Sequence, residues 1–223
     1  MNNLWHTSDI HLSFKADGTV QKPMDQRNWS KGSPNYVGYL DKMADFGTNT
    51  IKPTDYVVIT GDLTHDMKHV HAGHSLRWFR ANVNGVLVFI KGNHDRYIDF
   101  AALRLENLGE KVFLIDEGEI ITIGPYTFGC YSDHNEKNSD NSAPYLDMCK
   151  RIVEQAKLKE TTPVMLSHYP VSEAVSKQVG KLGIKAYMSG HIHCTEGSAK
   201  DGSGNNWEWY NQIAKPTDDQ TIE

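Results

Sequence analysis

The chain has 223 residues, of which 39% are hydrophobic and 23% charged, and its formal net charge is -5. This balance excludes a disordered chain and allows one substantial core. The acidic sign disfavours general nucleic-acid binding, because phosphate backbones demand clustered Lys and Arg. Cys130, Cys149 and Cys194 are odd in number and form no CxxC pair, which excludes a disulfide framework and fits a reducing compartment.

The first predicted strand, 3–6, is followed by a polar loop over 15–34, rich in Gly, Pro, Asn and Ser, and by a helix over 36–45. Strand 56–60 precedes a helix over 68–82, and strand 86–90 precedes a helix over 100–108. Three short strands follow at 112–115, 119–123 and 127–131, then a second polar loop over 133–143. The clearest helix covers 144–158: Leu146, Cys149, Ile152, Val153 and Ala156 recur at helical spacing, and Pro144 suits the first turn. Strand 164–167, helix 172–179 and strand 186–189 complete the pattern, with an exposed tail after Lys215. Apolar strands alternating with such helices imply an α/β chain whose sheets are covered by helices. A single domain over 1–223 is expected, as no linker or repeat interrupts the pattern. No apolar run approaches a membrane span and no secretory leader opens the chain, so a cytoplasmic location without a membrane partner is expected.

Five of these strands end in the same kind of residue. Strand 3–6 runs into Ser8-Asp9-Ile10-His11, strand 56–60 into Gly61-Asp62, and strand 86–90 into Gly92-Asn93-His94-Asp95. Strand 164–167 is followed by His168, and strand 186–189 by Gly190-His191-Ile192-His193. In sheets of this kind ligands gather beyond the carboxyl ends of the strands, so five loops can converge on one site. Taken singly, Gly-Asp and Gly-Asn also read as turns, and each histidine as a satisfied loop residue. Together, Asp9, His11, Asp62, Asn93, His168, His191 and His193 form a carboxylate–imidazole set suited to Zn, Fe, Mn, Co or Ni and not to Ca. Seven ligands exceed the needs of one tetrahedral ion and suffice for two sharing a carboxylate. Two ions about 3.5–4 Å apart form a known device for phosphoester hydrolysis.

The ordered set D-x-H, G-D, G-N-H-D, H, G-H-x-H resembles that of the calcineurin-like metallophosphoesterases, and it spans the chain from Asp9 to His193. The resemblance implies a four-layer sandwich of two mixed β-sheets flanked by helices. It implies two divalent or trivalent metal ions, one held by Asp9, His11, Asp62 and His193, the other by Asp62, Asn93, His168 and His191. A hydroxide bridging the ions would attack phosphorus. His94 matches the family histidine that touches the phosphate and can protonate the leaving oxygen, and Asp95 is expected to hold its imidazole by a hydrogen bond. The chain is similar to the small stand-alone phosphoesterases of bacteria and phages. It lacks an Arg-Gly after Gly61-Asp62-Leu63-Thr64-His65-Asp66, which counts against a protein phosphatase. The expected activity is hydrolysis of a small-molecule phosphodiester. The alternatives are a phosphomonoesterase with the same site, a nuclease, or a non-catalytic metal-binding scaffold.

Other residues have plainer readings. His65, His69, His71 and His74 read as a polar helix face, with His65 placed to reach the pocket rim, and His6 reads as structural. His134 lies in a loop, Cys194 reads as a packed residue, and Trp207, Trp209 and Tyr210 read as an aromatic strand. Lys22, Arg27 and Lys31 read as a solvated loop.

Overall fold

The computed structural model describes residues 2–12, 14, 17–19, 39–64, 69–106, 108–132 and 142–191, excluding the side chains of residues 39, 69–71, 173 and 174. In chain order the elements are β1 (Leu4–Thr7), α1 (Tyr39–Asn49), β2 (Tyr56–Thr60), α2 (His69–Asn82), β3 (Val86–Ile90), α3 (Phe100–Leu105) and β4 (Val112–Ile115). They continue with β5 (Ile120–Ile123), β6 (Tyr126–Cys130), α4 (Ala143–Lys159), β7 (Thr162–Leu166), α5 (Glu173–Leu182) and β8 (Ala186–Met188).

The strands form two four-stranded sheets, β1-β2-β3-β4 and β5-β6-β7-β8. Mixed pairing is confined to the second, where β5 and β6 make an antiparallel hairpin and the remaining pairs are parallel. Every described pair of the first sheet is parallel. The reason is connectivity: α1, α2 and α3 separate successive strands, so each strand runs the same way.

Alternation along the strands divides the interior into three apolar layers. In β2, Tyr-Val-Val-Ile-Thr is buried throughout. Val57 and Ile59 face Met43, Leu76, Phe79 and Leu103 of α1, α2 and α3. Tyr56 and Val58 face the second sheet, meeting Phe128, Val164, Leu166 and Met188. On that sheet's far side Met165 packs against Cys149, Ile152 and Val179 of α4 and α5. The order is therefore helices, sheet, sheet, helices.

Helix ends follow local chemistry. Asp99 caps α3 by accepting from Ala102 N (3.1 Å). Ser172 caps α5, and Gly183 ends it in the left-handed region at φ 100°. Among the described residues no helix is long and apolar enough to cross a membrane. The consequence for the site is that the carboxyl ends of β1, β2 and β3, and those of β7 and β8, open onto one rim.

Candidate metal centre

The site is built where the strands stop. The exit of β1 stays zipped to the exit of β2: Asp9 N donates to Gly61 O (3.0 Å), His11 N to Asp62 O (2.8 Å) and Leu12 N to Leu63 O (2.7 Å). In the second sheet Gly190 N donates to His168 O (2.9 Å). Hydrogen bonds also tie the two sheets together at this point. His168 Nδ1 donates to Thr60 O (2.8 Å), and His191 N donates to Asp9 Oδ2 (2.8 Å).

The backbone there is strained. Five non-glycine residues among those described have positive φ, and four of them are Asp9 (55°), His11 (51°), Asp62 (51°) and His191 (72°). The left-handed conformation costs a residue with a side chain roughly 1–2 kcal/mol, and such outliers collect at functional sites. Glycine allows the loops to cross. A Cβ on Gly61 would lie 2.6 Å from Gly92 Cα and from His168 Nδ1, and one on Gly190 would strike Ser8 and Asp9. The glycines of the sequence motifs are therefore required by close approach.

The side chains converge with their acceptors inward. The carbonyl of Thr60 can only accept, so it fixes the proton of His168 on Nδ1 and leaves Nε2 with a lone pair. That Nε2 lies 2.9 Å from Asn93 Oδ1 and 3.6 Å from Asp62 Oδ2. His191 Nδ1 is 3.0 Å from the same Asn93 oxygen, and His11 Nε2 is 3.7 Å from Asp62 Oδ2. His94 N donates to Asp62 Oδ1 (2.8 Å), and the His94 ring stands edge-on to His11 with centroids 4.8 Å apart. Two clusters result, each with ligand atoms mutually within 4.8 Å: His11, Asp62 and His94, and Asp9, Asp62 and His168. Asp62 belongs to both.

Burial, together with the Asp95 and Asp9 carboxylates, pushes Asp62 up to about 8, against the pull of the His94 N–H. Its Oδ2 faces His11 Nε2 and His168 Nε2. Carboxylates, imidazole lone pairs and an amide oxygen facing one another call for a cation between them. The mixed oxygen and nitrogen donors fit transition-metal ions, and a carboxylate common to two clusters fits a pair of them.

Of the nine residues singled out from the sequence, Asp9, His11, Asp62, Asn93, His94, His168 and His191 are brought together here. His193 lies outside the described residues, as do Lys22, Arg27, Lys31, His65, His134, Cys194, Trp207, Trp209 and Tyr210, and the side chains of His69 and His71. Asp95 departs from expectation. Its buried carboxylate does not hold His94. Oδ2 accepts from Gly92 N (3.0 Å) and Leu63 N (3.2 Å), and Oδ1 from Thr64 N and Thr64 Oγ1 (both 3.2 Å). Asp95 thus ties the loop after β2 to the loop after β3, and burial raises its pKa against these four donors. His6 is structural: its Nε2 meets Thr60 Oγ1 (2.8 Å), and desolvation lowers it to about 4 against the attraction of Asp9.

Sequence reasoning missed three supporting residues. Thr60 orients His168, Ser132 accepts from His168 N (2.7 Å), and Tyr169 packs on two of the imidazoles. Only their adjacency to strand ends signalled them.

Comparison with known proteins bears on the same residues. The calcineurin-like phosphoesterase family matches residues 3–195. No curated protein matches the chain. Matching solved structures include the protein of unknown function AQ665 from Aquifex aeolicus, 17% identical, with a TM-score of 0.36 over 76% of this chain and 81% of that one. Because the family match runs from β1 through all five strand-end motifs, the chain belongs to the calcineurin-like phosphoesterases, metal-dependent hydrolases of phosphoester bonds.

Proposed function

We propose that this protein hydrolyses small-molecule phosphodiesters, using two transition-metal ions held by Asp9, His11, Asp62, Asn93, His168, His191 and His193. The observation that carries the reading is the position of Asp62, whose Oδ2 lies 3.7 Å from His11 Nε2 and 3.6 Å from His168 Nε2, one from each proposed ligand set. When bound, such a pair supplies Lewis acidity toward phosphoryl oxygens and an activated water.

The protein's own groups do the rest. The His94 N–H holds Asp62 Oδ1, leaving Oδ2 toward His11 and His168. Thr60 keeps the His168 lone pair inward. The His94 ring, half-buried against His11, takes the place of a proton donor to the leaving oxygen. The preference for diesters is supported by the Gly92-Asn93-His94-Asp95 form of the motif and by the lack of Arg-Gly after the Gly61-Asp62 block.

Hydrolysis of bis-p-nitrophenyl phosphate and p-nitrophenyl phosphate, side by side with Mn, Co, Ni, Zn or no metal, tests the proposal. Asp62→Asn serves as control. Metal-dependent diester cleavage that disappears in the control is expected. Cleavage of the monoester alone would replace the diester reading with a phosphatase, and silence on both would refute the proposal.

A further inference from the structure

Tyr169 follows His168 and belongs to none of the motifs. Its half-buried ring meets His191 edge-on, with centroids 4.4 Å apart at 65°, and meets His168 at 5.1 Å and 69°. The two imidazoles lie 5.1 Å apart at 71°. The three rings form a closed triangle, so neither histidine can turn without displacing Tyr169. The turn that delivers this ring is braced. The Tyr169 carbonyl accepts from Ser167 Oγ (2.7 Å) and from the Tyr187 hydroxyl (3.3 Å), and the same hydroxyl oxygen accepts from Val171 N (2.9 Å). Tyr187 in turn packs against Tyr145 of α4, with centroids 6.2 Å apart.

We infer that Tyr169 is a positioning residue for one ion of the pair, the one coordinated by His168 and His191. Its ring holds both imidazoles so that they converge with Asn93 Oδ1. Both histidines that Tyr169 touches are proposed ligands of the same ion. This inference rests on the proposed two-ion site.

The test is calorimetric titration of the full-length protein with Mn2+ alone, without substrate. The wild type is expected to show two steps, and Asp62→Asn to disrupt both. Tyr169→Phe keeps the ring and should match the wild type. Tyr169→Leu should weaken one step by about 10–100-fold, the usual effect of removing a ligand's supporting partner, and leave the other unchanged. Unchanged binding in Tyr169→Leu overturns the inference, as does equal weakening of both steps, which would mark a general structural role. A Phe variant as weak as the Leu variant also overturns it, since the hydroxyl would then be responsible. If Tyr169→Leu fails to fold, Tyr187→Phe decides. Loss of the brace should weaken the same step severalfold, and unchanged affinity refutes the role. A wild-type protein that binds fewer than two ions refutes the two-ion proposal itself, and this inference with it.

Discussion

Asp95→Asn separates two roles that adjacency to His94 leaves confounded. In the structure each carboxylate oxygen accepts two bonds, from Gly92 N and Leu63 N on one side and from Thr64 N and Thr64 Oγ1 on the other. Asparagine keeps one oxygen. The new NH2 group is best placed toward Thr64, whose hydroxyl can turn to accept from it, so that Thr64 N alone loses its acceptor in a buried place, at a cost of about 1–3 kcal/mol. The weaker bonds of a neutral amide add to this and the removal of a buried charge beside Asp62 offsets part of it, so the net loss is roughly 1–3 kcal/mol. Urea unfolding in the presence of a chelator isolates the clamp from any metal contribution. A lower midpoint with unchanged slope is expected. The loops after β2 and β3 carry Asp62 and Asn93, so Mn2+ affinity should fall as well. If instead Asp95 served His94, stability and metal affinity would stay at wild-type values while turnover fell. That outcome would refute the clamp.

Two further predictions concern the frame. Asp55, ahead of β2, accepts from Trp5 Nε1 and Asn3 N (both 2.9 Å), Lys52 N (3.2 Å) and Asn3 Nδ2 (3.3 Å). Burial alone would raise its pKa, but these donors, Trp5 foremost, lower it overall. A lowered carboxyl stabilises the fold above its unfolded pKa of about 4 and loses that contribution as pH falls through the folded value. Asp55→Asn should therefore cost about 1–3 kcal/mol at pH 7, and denaturant curves of variant and wild type should begin to converge as pH falls below about 4 and meet only below the lowered folded value; a constant gap would contradict the assignment. Gly61→Ala would place a Cβ 2.6 Å from Gly92 and His168 at φ 95°. The expected loss is roughly 3 kcal/mol, or about 6–12 °C in Tm, and an unaltered melting curve would show that the loops can part.

Periodicity was enough to locate β2, β3 and β4 at 56–60, 86–90 and 112–115, because their apolar runs are bounded by turn residues on both sides. Helix ends were less legible. The expected helix over 36–45 is observed as Tyr39–Asn49, since Thr48 Oγ1 donates back to Ala44 O (2.7 Å) and Asn49 Nδ2 to Asp45 Oδ1 (2.7 Å). A Cβ on Gly47 would strike the Asn82 carbonyl at the end of α2, so this glycine marks a contact between α1 and α2. At the site, residue type and position after a strand pointed to seven side chains that the structure gathers, while His193 lies outside the described residues. Which way each one points was not legible. His94 and Asp95 are neighbours in sequence, yet one turns toward His11 and the other into the backbone of Leu63 and Thr64. Tyr169 carries no motif because its contribution is a ring contact, and spacing does not encode ring contacts.

The strain at the strand ends explains why the donors stay converged. Asp9, His11, Asp62 and His191 together carry about 4–8 kcal/mol of left-handed backbone. An isolated loop would relax that conformation and scatter the donors. Here the relaxation would break the bonds from Asp9 N and His11 N to the exit of β2, and the bond from His191 N to Asp9 Oδ2. It would also part the two sheets, whose shared core buries Val58, Phe128, Val164 and Leu166 almost completely. The apolar layers therefore do more than fold the chain: they hold carboxylates and lone-pair-bearing groups together at the strand ends.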